Sequence, residues 1–293
     1  HEEAVRKDVL LLCELGLDPG IDHMSAMAVL QPLLDHGSKV RAFRSYGSGI
    51  PAPENKDANP LRYVVTWNPR NVAMSSETGA QYMERGRIKC VPLHHVFHHT
   101  WHVHVDGVGA LEAYPNRDST PYIDLYDIPE TKTMYRGTLR NLGWCDVMQK
   151  LNALGYFSLE ERDDLTGETF RQVMAELVGA EETDDLRETV AAALNVAPNS
   201  GVMMTMGWLG LLDDALVPTE KTLLDVLATQ MLVKMGYREG ERDMIILLHD
   251  FVAQYPDGKE HITSTMLDFG EPEGDTSMAR TVGLPAAVAA RFI

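Results

Sequence analysis

The feature that most restricts the fold is a change of hydrophobic period that happens twice. Residues 40–46 alternate inward and outward side chains as a strand does, and strand-like stretches recur at 62–67, 103–105, 110–114 and 132–138. From Asn141 the apolar residues instead step by three and four, through 141–154, 169–177, 184–194 and 223–235. Strand character returns at 244–253 and 261–268, with Tyr255-Pro256-Asp257-Gly258 between them as the hairpin loop. A chain that leaves a sheet, runs through about a hundred helical residues and re-enters the sheet predicts an α/β (α+β) fold, in which a mixed β-sheet domain carries an inserted all-helical domain.

Upstream, residues 9–15 form an apolar run closed by Gly16 and Pro19-Gly20, which predicts a buried strand ending at a turn. A helix is predicted next, with Asp22 as its cap, Met24, Met27, Ala28, Leu30, Leu33 and Leu34 at helical spacing, and Gly37 as its stop. The first eight residues are charged and run directly into the apolar stretch, so the opening reads as the middle of a longer polypeptide and not as a signal peptide. An Ala-rich helix over 276–293 closes the chain.

The charge balance narrows the function. Lys and Arg total 26 against 43 Asp and Glu, a net charge of −17 over 293 residues, which repels a phosphate backbone and argues against nucleic acid. No apolar run approaches the roughly 20 residues that span a bilayer. Cys13, Cys90 and Cys145 are odd in number and widely spaced, which suits reduced thiols in a cytoplasmic setting.

Four stretches can carry chemistry. Gly16-Leu17-Asp18-Pro19-Gly20-Ile21-Asp22-His23 puts two carboxylates and an imidazole in a strand-to-helix turn, where open α/β sheets bind ligands. Either Asp22 only caps the helix and His23 is a surface residue, or the acids and the imidazole hold and move a proton. Asn116-Arg117-Asp118-Ser119-Thr120 and Arg136-Gly137-Thr138 bring two arginines near strand ends, which serve either as a bidentate carboxylate clamp or as surface Arg–Asp pairs. Gly47-Ser48-Gly49-Ile50-Pro51-Ala52 has the spacing of a dinucleotide fingerprint, but Pro51 and Pro53 stop a helix from starting there with free amides. The two glycines are read instead as points of close backbone approach. Six histidines, His94, His95, His98, His99, His102 and His104, crowd together with only Asp106 nearby, and are read as an exposed or interface strand with no metal site.

In order along the chain, Gly16–Met24, Ile50–Glu54 with Asn59–Tyr63, Tyr114–Thr120, Arg136–Arg140, Gly207–Leu212, Glu241–Ile245 and Ala279–Pro285 resemble the saccharopine dehydrogenase family. The resemblance implies an N-terminal Rossmann domain, a mixed-sheet domain for substrate binding and homodimer formation, and a helical insert. Its expected boundaries here are 1–21 for a residual edge of the nucleotide-binding domain, 22–139 and 240–275 for the substrate and dimerisation domain, 140–239 for the helical insert, and 276–293 for a helix returning toward the nucleotide-binding domain.

The reaction it implies is oxidation, with NADP or NAD, of the secondary amine that joins lysine to glutamate in saccharopine. The resemblance assigns proton transfer to Asp18, then to Asp22 or His23. It assigns substrate binding to Arg117, Arg136, Asn116, Thr138 and Gly47, and contact with the nicotinamide end of the cofactor to Gly16, Leu17 and Pro19. Gly47 departs from the fungal pattern, which has cysteine there, and the glycine fingerprint would lie upstream of this sequence. Those departures keep two alternatives open: a lysine or carboxynorspermidine type of dehydrogenase, and a silent docking and dimerisation module.

Overall fold

The structure is a computed structural model that describes residues 2–181 and 183–293; residue 1 of the expected 1–21 segment lies outside the described residues. A short helix α1 (Glu2–Arg6) and an extended stretch lead into the turn at 16–20 and helix α2 (Ile21–Asp35). The first sheet strand is β1 (Lys39–Pro51), followed by helix α3 (Pro69–Met74) and the hairpin β2 (Ala80–Glu84) and β3 (Arg87–Val91). A second hairpin, β4 (Trp101–Val105) and β5 (Gly109–Pro115), precedes β6 (Arg117–Asp118), α4 (Tyr122–Leu125) and β7 (Thr133–Arg140).

The helical segment then runs through α5 (Trp144–Ala153), α6 (Phe170–Val178), α7 (Leu186–Ala193), α8 (Gly201–Leu209) and α9 (Leu223–Met235). Thr169, Asp185, Ser200 and Thr222 each accept a first-turn amide with a side-chain oxygen, so α6 to α9 start where a local cap is written. The long hairpin β8 (Asp243–Tyr255) and β9 (Gly258–Phe269) and helix α10 (Ser277–Ala289) complete the chain.

The sheet is mixed, because β1 runs parallel to β7 and antiparallel to β8. Its path is β3-β2-β7-β1-β8-β9, and β7 also meets β5 along its second half. Helix α2 covers one face, where Ala26 and Leu30 pack against Phe43, Met134 and Phe251. Tyr46, Tyr135, Leu139 and Leu248 form a separate cluster with Val105 and Leu111. The helices share a third core around Trp144, Met148 and Phe170, reached from the sheet side by Tyr63. No helix among the described residues is long and apolar enough to cross a membrane.

Several expectations are corrected. Among the described residues no strand pairs with residues 9–15 or packs beside them, so Val9, Leu10, Leu11 and Leu12 are exposed. Residues 62–67 are not a strand either. Tyr63, Val64 and Val65 are buried consecutively, Val65 donates to the Met235 carbonyl at the end of α9, and Tyr63 packs on Trp144 with ring centroids 4.4 Å apart. Burial on all sides by the helices, and not a ladder, accounts for that apolar run. The β2–β3 hairpin is not evident in the sequence, since Ile88 and Cys90 are exposed and its polarity does not alternate cleanly. Helix α8 also escapes the periodicity, because it is apolar nearly all round and buried among other helices.

Candidate functional site

The site begins with a tight turn that requires glycine at position 20. Gly20 has φ 151°, and a Cβ there would sit 1.9 Å from the Gly16 carbonyl oxygen. Gly16 N–H donates to the Pro19 carbonyl at 3.0 Å, and Ile21 N–H returns to the Gly16 carbonyl at 2.9 Å. The peptide between Asp18 and Pro19 is cis, and Leu17 is buried against Ile245 and Leu247. So folded, the turn aims Asp18 and Asp22 at the sheet.

Asp22 is not a helix cap, because α2 starts one residue earlier at Ile21. The residue is 1% exposed, and its carboxylate accepts from Gly20 N–H at 2.6 Å and from Arg136 Nη2 at 2.6 Å. The same Nη2 makes a short contact with the Asp18 carboxylate. One guanidinium, brought by β7 from more than a hundred residues away, therefore joins both acids of the turn.

Arg136 is fixed on its own strand. It lies opposite Ser45 of β1, its N–H donates to Ser119 Oγ at 2.9 Å, and its carbonyl accepts from Asn116 N–H at 3.0 Å. The guanidinium carbon stands 4.2 Å from the centre of the Tyr122 ring, a cation–π contact on its remaining face.

Two carboxylates against one cation leave a negative charge uncompensated. Burial pushes the Asp18 carboxyl up from 3.8 to about 6; Arg136 opposes that rise, Asp22 adds to it, and His23 and Arg117 oppose it. The Asp18 side chain is 22% exposed against 2% for Asp22, so the acid whose pKa burial raises is also the one within reach of a ligand. Burial alone would lower the Arg136 pKa, but Asp18 and Asp22 outweigh it and hold that group above its ordinary value.

His23 turns away from Asp18. Burial, reinforced by Asp22, raises the Tyr126 hydroxyl well above its usual range, so Tyr126 stays protonated and donates to His23 Nδ1 at 2.5 Å. The other ring nitrogen lies 2.7 Å from Glu14 Oε2, off the direction of a hydrogen bond, and the ring stacks on Tyr122 with centroids 5.3 Å apart. On β8, opposite Ser45, burial drops His249 from 6.5 to about 4, a fall that Asp22 resists and Arg136 and His23 assist. Ser25 Oγ donates to the Ile21 carbonyl at 2.8 Å, so its 2.7 Å contact with His249 Nε2 is one in which the histidine donates. Sequence reasoning misses Tyr122, Tyr126, Ser25 and His249; the only local hint is the four-residue step between the tyrosines just after Thr120-Pro121.

The structure thus brings Asp18, Asp22 and Arg136 into contact. Gly47 joins them from below: a Cβ there would lie 2.7 Å from Asp18 Oδ2, so the bare backbone is what lets the carboxylate settle on β1. Thr138 pairs with Gly47 and is one side-chain step beyond Arg136 on the same face. Asn116 enters through its backbone. Arg117 does not touch the cluster. It is exposed, with φ 53°, beside an open cleft lined by Ala80, Gln81 and Val91. It forms no pair with Asp118, whose carboxylate accepts from Gln81 and Thr120 instead, and its charge reaches Asp18 only through space.

The dinucleotide fit is poor within this chain. Gly47 and Gly49 lie inside β1 and not at a helix start. The amides of residues 20–23 are spent on Asp22, Gly16, Leu17 and Gly20, and two carboxylates sit where a pyrophosphate would need positive potential. Leu17 is buried, leaving Gly16 and Pro19 as the accessible part of the turn. Of the histidines, His102 and His104 share the exposed face of β4, His94 lies 2.9 Å from Glu77, and the His95 and His98 rings sit tilted to one another with centroids 5.1 Å apart. Among the described residues no three His, Cys, Asp or Glu converge as a metal site would require.

Comparison with known proteins gives a consistent set of relatives. The family model described as the saccharopine dehydrogenase C-terminal domain matches residues 16–293. Saccharopine dehydrogenase (NADP(+), L-glutamate-forming) of Saccharomyces cerevisiae is 34% identical over 298 residues, covering 99% of this chain and 67% of that protein. The mitochondrial alpha-aminoadipic semialdehyde synthase of Bos taurus is 35% identical over 310 residues, covering 97% of this chain and 31% of that protein. A solved structure, apo histidine-tagged saccharopine dehydrogenase (L-Glu forming) from Saccharomyces cerevisiae, superposes with a TM-score of 0.86 at 34% identity, over 94% of this chain and 64% of that one. The chain spans about two thirds of the yeast protein and about a third of the bovine one.

Proposed function

Because this chain belongs to the saccharopine dehydrogenase family, we propose that the protein carrying it oxidises saccharopine with NADP+ and water, giving glutamate, aminoadipate semialdehyde, NADPH and a proton. The observation that supports this reading best is the contact of Asp18 and Asp22 with Arg136 beside the side-chain-free Gly47. A secondary amine is protonated at neutral pH and must lose that proton before the adjacent carbon can be oxidised. A carboxyl lifted to about 6 is suited to take it.

In this reading Asp18 accepts the proton from the amine nitrogen and passes it to solvent, to which its side chain is open. It then takes a proton from the water that attacks the imine carbon. Asp22 stays buried and holds Arg136 in place. Arg117, unpaired among the described residues, takes a substrate carboxylate as a bidentate partner, and Thr138 donates from the sheet. Gly16 and Pro19 offer the dinucleotide only a small apolar contact, and its phosphates are held by a segment outside this chain. His23, tied to Tyr126 and facing Glu14, positions the aromatic wall and is the weakest of the three proton candidates.

The protein is further read as a cytoplasmic homodimer, supported by three unpaired cysteines and by the open edge of β9, whose length leaves many backbone groups available for pairing. The domain limits of the sequence reading are retained in the same sense, with the sheet as the substrate and dimerisation domain and the helices as its insert. The test is an assay of the full-length protein with saccharopine and either nucleotide. NADPH formation is expected with NADP+, and absence of turnover with both NADP+ and NAD+ overturns the proposal.

A further inference from the structure

Strand β7 carries a second buried arginine, and its surroundings are unlike those of the first. Arg140 is 7% exposed and boxed by the rings of Tyr63, Trp144 and Tyr114, at 5.3, 5.6 and 5.9 Å from its guanidinium carbon. Its Nη1 donates to the Leu139 carbonyl at 2.9 Å, while its Nε is buried with no partner. Among the described residues no carboxylate reaches ion-pair distance. Glu112 lies directly opposite on β5, yet it spends a carboxylate oxygen on the Cys145 amide at 2.7 Å. A buried cation without a counter-charge is unfavourable, and the carboxylate of a ligand would supply one.

Residues 136, 138 and 140 point to the same face, and four residues of strand span roughly 13 Å. The strip that neighbours them on β1 carries Gly47 and Gly49. Above Gly47 lies Asp18; above Gly49 a Cβ would meet the terminal methyl of Met278 at 2.6 Å and Thr66 Oγ1 at 2.9 Å. The Met278 methyl is the end of a flexible thioether that an entering ligand can displace. One face of the sheet thus carries both arginines, the acid-paired Arg136 beside Gly47 and, two side-chain steps further along, Arg140, which has no carboxylate at ion-pair distance among the described residues. In a chain of net charge −17, few places offer an isolated buried cation to an acid.

Resting on the saccharopine reading above, we propose that Arg140 is the specificity residue for a terminal carboxylate of an extended amino-dicarboxylate or tricarboxylate substrate, whose reacting nitrogen then lies near Asp18. The aromatic box holds the guanidinium plane so that its edge meets the carboxylate, and the carboxylate supplies the missing counter-charge.

The test uses the full-length enzyme with Arg140→Lys, which keeps the charge and most of the volume but loses the planar fork. With saccharopine, KM is expected to rise at least tenfold while kcat stays within about twofold, the pattern of an interaction made equally in the ground and transition states. With a saccharopine analogue that lacks the carboxylate held by Arg140, wild type and R140K should have the same KM. An unchanged KM for saccharopine in folded R140K overturns the proposal, as does an equal loss for every analogue tried. If R140K does not fold, a structure of wild type with saccharopine decides: a carboxylate within 4 Å of the Arg140 guanidinium is expected, and a guanidinium left without one overturns it. Failure of wild type to turn over saccharopine at all removes the parent reading instead, so the two failures are distinguishable.

Discussion

Two arginines four residues apart on one strand have opposite electrostatic fates. Arg136 meets two carboxylates and a tyrosine ring, whereas Arg140 meets three aromatic rings and, among the described residues, no carboxylate at ion-pair distance. At the first, burial raises the Asp18 carboxyl, with Arg136 opposing and Asp22 adding to the rise; at the second, the guanidinium is enclosed by aromatic rings. The contrast teaches that a fold can compensate two cations on one strand differently by where it places the counter-charges, even when the chain as a whole is acidic.

The sharpest way to break the contrast is to remove the titrating acid. Asp18→Asn is expected to lower kcat/KM of the full-length enzyme by about 10²–10⁴-fold, the usual worth of a positioned general base. A loss below about tenfold would place the proton transfer elsewhere. Removing the cation is next: Arg136→Met leaves Asp22 buried beside Asp18 and is expected to cost ~3–5 kcal/mol of stability. Urea unfolding of wild type and R136M, checked for equal slopes, measures it; a change under about 1 kcal/mol would mean that the Arg136 pairs do not hold the fold together.

The smallest effect sharpens the comparison through pH. Asp18 is raised from 3.8 to about 6, so its contribution to stability is fully present below about pH 4 and is lost as pH rises through about 6. His249 is lowered from 6.5 to about 4, so the unfolded chain binds its proton first, and its contribution is present above about pH 6.5 and lost as pH falls toward 4. The two therefore oppose each other over the same window. Asp18→Asn should make stability climb more steeply between about pH 4 and pH 6, while His249→Gln should flatten it. Unfolding curves for both variants that keep the wild-type pH slope would show that neither group titrates in that range.

Elements whose cause is local were legible. The hairpin of β8 and β9, the capped helices α6, α7 and α9, and the turn at 16–20 each carry their own signal in turn residues, caps or period. The misread stretches at 9–15 and 62–67 are apolar runs whose environment, and not their pattern, sets their conformation. Exposed in one case and enclosed by helices in the other, they show that an apolar run states a need for burial without saying what meets it.

The site divides the same way. Sequence alone determined that two acids and a histidine would share one tight turn, because glycine at 20 and the short spacing leave the backbone little choice. Only the tertiary structure decided that Asp18 and Asp22 would share one guanidinium, that His23 would face Tyr126, and that Arg140 Nε would be buried with no hydrogen-bond partner among the described residues. Those outcomes depend on strand register: the parallel pairing of β1 with β7 and the antiparallel pairing with β8 set Arg136, Ser45 and His249 side by side, and a shift of one residue would turn all three to the other face.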